Sequence, residues 1–128
     1  MNISIILNTY NWSDALKIIL NSLIPQIIKQ KNHKIEIIIA DDGSNDATKS
    51  LVNQFIAQYD FIYHVWHEDI GFRKSMILNK AVAKSRGDYL IFLDGDCVPF
   101  PDYIEEHIFL NIKKQSFFHK IKTYIIII

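Results

Sequence analysis

With a single cysteine, Cys97, the 128-residue chain has no partner for an intrachain disulfide and no thiolates for a metal cluster, which points to a reducing compartment, the cytoplasm. Charge of one sign is also missing. Fourteen Lys and Arg offset fourteen Asp and Glu, and no basic stripe is available to neutralise a phosphate backbone, so nucleic acid is not an expected partner. No apolar run approaches the length of a bilayer span. The N-terminus has neither a basic flank nor a small-residue cleavage site, so no secretory signal is expected. What is there, 49% hydrophobic and 22% charged residues, is the composition of one soluble globular domain and excludes intrinsic disorder.

Two periodicities alternate along the chain. Residues 3–7, 35–40, 61–66 and 89–93 are short runs rich in Ile, Val, Tyr and Phe, and are predicted to be buried strands. Residues 13–29, 46–59, 72–85 and about 102–114 place apolar side chains at helical spacing, with Leu16, Ile19, Leu20 and Leu23 the clearest stripe. Ser13 and Asp46 are the expected N-caps of the first two helices, and Arg86-Gly87 the left-handed stop of the third. Strands apolar on both faces and separated by helices imply an α/β fold: an open, mostly parallel sheet flanked by helices on both faces. Ligands of such sheets sit beyond the carboxyl ends of the strands.

Those ends read Asn8-Thr-Tyr-Asn11, Asp41-Asp-Gly-Ser44, His67-Glu-Asp69 and Asp94-Gly-Asp96. Gathering up to six carboxylates on one edge is unfavourable unless a cation offsets them. Oxygen ligands suit Mg²⁺ or Mn²⁺, which commonly complete their shells with phosphate oxygens, so a phosphate ester is the expected partner. In Asp94-Gly95-Asp96 the two side chains share a direction, and Gly95 is expected to leave room for a diphosphate.

The segments Ile3-Ser-Ile-Ile-Leu-Asn-Thr-Tyr-Asn11, Ile37-Ile-Ile-Ala-Asp-Asp-Gly-Ser44 and Gly87-Asp-Tyr-Leu-Ile-Phe-Leu-Asp-Gly-Asp96, in this order, resemble the family 2 glycosyltransferases. Gly71-Phe-Arg-Lys74, Asn79 and Cys97-Val-Pro99 resemble the bacterial branch that builds capsular and lipopolysaccharide sugars. The resemblance covers roughly residues 2–107, so 1–107 is the expected nucleotide-sugar-binding domain and 108–128 a divergent tail. It implies a GT-A fold, a nucleotide-diphosphate sugar donor such as a UDP-sugar, a bound Mn²⁺ or Mg²⁺, and inverting hexosyl transfer to a glycan acceptor. Asn8 and Tyr10 would then flank the base, Asp42 would accept a hydrogen bond from it, and Asp94 would face the ribose. Asp96, with Asp94, would hold the metal. Arg73 is a candidate for a second phosphate contact, although the Arg that many members carry before the counterpart of Asn79 is Leu78 here, a departure from the family pattern at the phosphate site. The family's general base lies downstream of the Asp-x-Asp; no residue here is assigned to it, and truncation is the expected reason.

Plainer readings stand beside these. Tyr10 and Trp12 also suit a core, Asp41 and Asp42 the start of the second helix, and His64 and His67 ordinary hydrogen bonds. Glu105, Glu106 and His107 read as a solvated helix face, and Cys97 as a small buried side chain. Lys113, Lys114, Lys120 and Lys122, interleaved with Phe117, Phe118 and Ile121, form a candidate membrane-surface patch, which would place the protein at the inner face. Apolar surface bared by a missing lobe favours self-association. Two other functions compete: a remnant that binds nucleotide without turnover, and a phosphoacceptor receiver. In receivers the acidic pair ends the first strand rather than the second, and a lysine follows a fifth strand, which is not evident here.

Overall fold

The computed structural model describes residues 1–117 and 125–127. Its elements are β1 (Asn2–Thr9), α1 (Ser13–Lys29), β2 (Lys34–Asp41), α2 (Asp46–Gln58), β3 (Ile62–Trp66), α3 (Lys74–Lys84), β4 (Tyr89–Leu93), α4 (Tyr103–Phe117) and β5 (Ile125–Ile127). The strands lie in the order β3-β2-β1-β4-β5, and every neighbouring pair is parallel. This is the α/β architecture expected from the alternating periodicities.

Alternation within each strand sorts side chains into two layers. Ile3, Ile5 and Leu7 of β1, Ile37 and Ile39 of β2 and Tyr89, Ile91 and Leu93 of β4 join Leu16, Ile19, Leu20 and Leu23 of α1, Val52 of α2 and Ile104 and Ile108 of α4 in the main core. Ile6, Ile38 and Ala40 turn to the other face and meet Ile77 and Ala81 of α3. Burial on both faces is why β1 and β2 read as nearly unbroken isoleucine runs. Each such side chain contributes about 1.5–3 kcal/mol through removal from water. α1 also anchors the chain after β4. Gln26, buried, donates to the carbonyl of Phe100 at 2.8 Å and accepts from Ile104 N at 2.9 Å, and Ser22 donates to Pro99 O at 2.9 Å.

Several local expectations change. The residues before the first turns of α1 and α2 are Trp12 and Asn45, so Ser13 and Asp46 begin their helices rather than cap them. α3 closes on an extended Ser85, and Gly87 is not left-handed: a Cβ there would lie 2.5 Å from Ser4 N, so glycine is required by the approach of β1. Gly95 is likewise needed because a Cβ would collide with the carbonyl oxygen of Asn8, a packing reason rather than room for a diphosphate. His107 is buried against Tyr89, whose hydroxyl is 3.0 Å from Nδ1, and edge-on to Tyr103, whereas Glu105 and Glu106 are exposed as expected. Burial lowers the His107 pKa.

Beyond the expected division at 107, α4 continues to Phe117, and Ile125–Ile127 pairs with Leu90–Phe92 as a fifth strand that the sequence pattern did not reveal. The absence of such a strand therefore does not separate this chain from receivers, but the acidic pair does, because it closes β2. The side chains of the candidate membrane patch from Lys114 to Lys122 lie outside the described residues.

Candidate functional site

At the carboxyl edge of the sheet the connecting loops are tied to one another. Asn11 adopts a left-handed φ of 48°, its N–H donates to Ser44 Oγ at 2.8 Å, and its Oδ1 accepts from Asn45 N at 2.7 Å. The β1 exit is thereby held to the β2 exit. Asn8 Oδ1 accepts from Gly95 N at 3.1 Å, tying β1 to the turn after β4. Gly43, at φ +92°, lets the loop after β3 approach, since a Cβ would lie 2.5 Å from Asp69 Cα.

The acidic pair performs two jobs. Asp41 is fully buried; Oδ1 accepts from Ser44 N at 2.9 Å, and Oδ2 is 2.9 Å from His64 Nε2. Asp42 reaches the loop before α3 instead: Oδ1 is 2.5 Å from His67 Nε2, and Oδ2 accepts from Arg73 N at 2.9 Å. The carboxylate thus sits at the amino end of α3, not α2, where it offsets the exposed N–H groups of that terminus. Lys80 Nζ is 3.0 Å from His67 Nδ1. An ammonium only donates, so Nδ1 accepts and the ring proton on Nε2 points to Asp42. Both histidines are thus hydrogen-bonded to the carboxylates of the acidic pair. Asp42, expected to receive a base, already serves the protein with both oxygens, although each keeps a second lone pair.

Two contiguous cavities open between these loops. One, of about 250 Å³, is lined by Tyr10, Asp42, Asp69 and Ile77 among others; the second, of about 310 Å³, by Trp12, Asp94, Gly95 and Asp96. Asn8, Thr9, Tyr10, Phe72 and Lys74 line both. Tyr10 and Trp12 are 50% and 53% exposed, so they are not core aromatics. The Tyr10 hydroxyl donates to Asp69 Oδ2 at 2.7 Å, and this hydrogen bond to a carboxylate pushes its pKa up. Thr9, which is buried, carries a hydroxyl without a partner among the described residues.

Asp94, Asp96 and Cys97 each offer a ligand atom, all within 4.8 Å of one another. Cys97 is exposed rather than buried, and its thiol pKa is raised first by the hydrogen bond it donates to Asp96 Oδ1 at 3.5 Å. Two carboxylates at this separation fit a hard divalent cation that takes further oxygens from its ligand. Asp94 Oδ1 is also 2.9 Å from Lys74 Nζ. The Arg73 side chain, a candidate phosphate contact, is turned elsewhere: Nη2 donates to Glu68 O at 2.6 Å. The structure thus brings Asn8, Tyr10, Asp42, Asp94 and Asp96 around one cleft and leaves the Arg73 guanidinium outside its lining. Lys74 and Asp69 carry no role assigned from sequence, although Asp69 is one of the strand-end carboxylates. Lys74 had a signal, its place in the first turn of a predicted helix; Asp69 had its place at the exit of the third strand, but its pairing with Tyr10 depends on Gly43 in the loop after the neighbouring strand.

The family model described as Glycosyl transferase family 2 matches residues 4–113. Glycosyltransferase AglE of Haloferax volcanii is 32% identical over 103 residues, 80% of this chain and 33% of that protein. Among solved structures, S. aureus TarS 1-349 in complex with UDP-GlcNAc superposes with a TM-score of 0.72 at 23% identity, over 91% of this chain and 32% of that one. Mannosyltransferase PcManGT from Pyrobaculum calidifontis, in complex with GDP-Man and Mn²⁺, superposes with a TM-score of 0.64 at 22% identity, over 83% of this chain and 31% of that one. The chain thus spans about a third of the length of each of these proteins.

Proposed function

The chain belongs to glycosyl transferase family 2, and from that membership we propose that its strand-end cleft binds a nucleotide-diphosphate sugar, with a UDP-sugar as the first candidate, for inverting transfer to a glycan acceptor in surface polysaccharide synthesis. The observation that carries the reading is the wall that the two cavities share, Asn8, Thr9, Tyr10, Phe72 and Lys74, with Asp42 and Asp69 on one side of it and Asp94 and Asp96 on the other. A base stacked on Tyr10 and a diphosphate directed to the Asp94–Asp96 corner match that layout in chemistry. The nucleotide sugars named with the two solved neighbours support the class of donor.

Asp96 and Asp94 would hold Mn²⁺ or Mg²⁺, which supplies charge stabilisation at the departing diphosphate. Tyr10 offers an aromatic face, Asn8 ties β1 to the turn carrying Gly95, and Asp42 keeps the loop before α3 against the cleft. No described residue is assigned as the base for the acceptor hydroxyl.

Calorimetric titration of UDP in Mn²⁺, in Mg²⁺ and in chelator tests the reading. Tighter binding with either metal is expected, and Asp96→Ala should remove the difference while leaving the circular dichroism spectrum intact, because Asp96 is exposed and its one side-chain hydrogen-bond partner among the described residues is the exposed Cys97 thiol. Equal affinity with metal and chelator would defeat the metal assignment. Unfolding of the variant would make Asp96 structural.

A further inference from the structure

The cleft wall carries Asp42, Asp69, Asp94 and Asp96, and a ligand bearing a diphosphate adds more negative charge to it. Neighbouring cations are committed elsewhere: the Arg73 guanidinium to Glu68 O, and Lys80 to His67 Nδ1. The amino end of α3, otherwise suited to anions, already holds a protein carboxylate, because Arg73 N donates to Asp42 Oδ2. Among the described residues, Lys74 is the positive group in the wall. It lines both cavities, and also an adjoining apolar groove of about 380 Å³ between α3 and β4 bounded by Ile6, Leu78, Val82 and Phe92. Lys74 therefore borders all three spaces, and its Nζ is held by Asp94 Oδ1.

Resting on the nucleotide-sugar reading above, we infer that Lys74 is the side-chain cation that receives the diphosphate, and that Asp94 holds it in place until the ligand arrives. The Lys74–Asp94 pair has both side chains more than a third exposed, at 37% and 44%, so solvent screens the attraction and exchanging one anion for another is cheap. A lysine ammonium has three donors on a flexible stem, so Nζ can leave Asp94 for a phosphate oxygen without α3 moving. The exchange frees Asp94 Oδ1 as the diphosphate arrives, making that oxygen available for the role proposed for it. Lys74 thus discriminates between nucleotides that carry a diphosphate and those that do not, while Tyr10, at the other end of the cleft, senses the base in both.

The test compares UDP with uridine, which shares the base and ribose but lacks phosphate, on the full chain and on Lys74→Met and Lys74→Arg, with Mn²⁺ and with chelator. Ligand-observed NMR reads the weak uridine binding and calorimetry reads UDP. Lys74→Met should weaken UDP roughly tenfold to a hundredfold, the range for a lost charged hydrogen bond, leave uridine within about twofold, and keep the parent circular dichroism spectrum. Lys74→Arg should recover most of the UDP affinity. Parent-like UDP binding by Lys74→Met, or equal losses for UDP and uridine, would overturn the role of Lys74. Failure of the unaltered chain to bind either ligand would overturn the reading of the cleft itself, and this inference with it.

Discussion

Tyr10 and Asp42 line the same cavity wall but stand differently toward a ligand. Tyr10 is half exposed and held by its hydroxyl to Asp69, so truncating it removes a stacking surface without opening the core. Tyr10→Ala should weaken UDP binding by about 1–3 kcal/mol, measured by calorimetry, at unchanged stability. Asp42 is buried, and its oxygens engage His67 and Arg73 N. Asp42→Ala leaves both unpaired, so urea unfolding should show a loss of about 1–3 kcal/mol in addition to weaker nucleotide binding. A variant that binds UDP poorly at full stability would put Asp42 in direct contact with the ligand instead. His107 has a pH consequence of its own. Burial lowers its folded pKa below the unfolded value, so the unfolded chain binds more protons between the two, and stability rises with pH across that window. The contribution is complete above the unfolded value of about 6.5 and is lost as pH falls below it. His33, lowered first by burial and then by the N-terminal charge, acts in the same direction. Unfolding midpoints should therefore drop between pH 7.5 and 5.5, and His107→Phe should flatten the slope.

Among the elements, two glycines separate what shapes the cleft from what builds the sheet. Gly43, left-handed at φ +92°, lies where β2 leaves the sheet and makes room for Asp69, the partner of Tyr10. Gly87 precedes β4 at the opposite edge, and its N–H donates to Ser4 Oγ at 2.8 Å. Gly43→Ala should displace the loop after β3 and lower UDP affinity about as much as Tyr10→Ala. Gly87→Ala drives a Cβ into backbone at 2.5 Å and should cost about 1–3 kcal/mol in stability with nucleotide affinity retained. Urea unfolding and UDP titration of the two variants check the contrast; equal effects on affinity would mean that the two edges of the sheet are coupled. The early end of α3 has the same kind of cause. Helical spacing suggested a start at 72, but Arg73 N is taken by Asp42 and the helix begins at Lys74.

Across the whole molecule, binding in the cleft joins the exits of β1, β2 and β4 with the start of α3, segments otherwise held by a few hydrogen bonds between loops. A ligand that binds only the folded chain raises stability by about 2.7 kcal/mol at a hundred times its Kd. UDP with Mn²⁺ should accordingly raise the melting temperature in a concentration-dependent way, and UDP in chelator should raise it less. A metal effect that is the same without nucleotide would place the cation elsewhere than the diphosphate corner.

The order of strands and helices, the two-sided burial of β1, β2 and β4, and the meeting of Asn8, Tyr10, Asp42, Asp94 and Asp96 at one edge were all legible in the chain, because periodicity decides which faces are buried and a parallel sheet sends every strand end the same way. Tertiary structure alone decided which polar group meets which. Asp42 caps α3 rather than α2, Arg73 turns to Glu68, Lys74 stands against Asp94, Gly95 and Gly87 yield to β1, and His107 goes inward to Tyr89. Apart from Arg73 and Glu68, these pairings join residues 18 to 87 positions apart, and no local pattern encodes a contact that exists only after the sheet has closed.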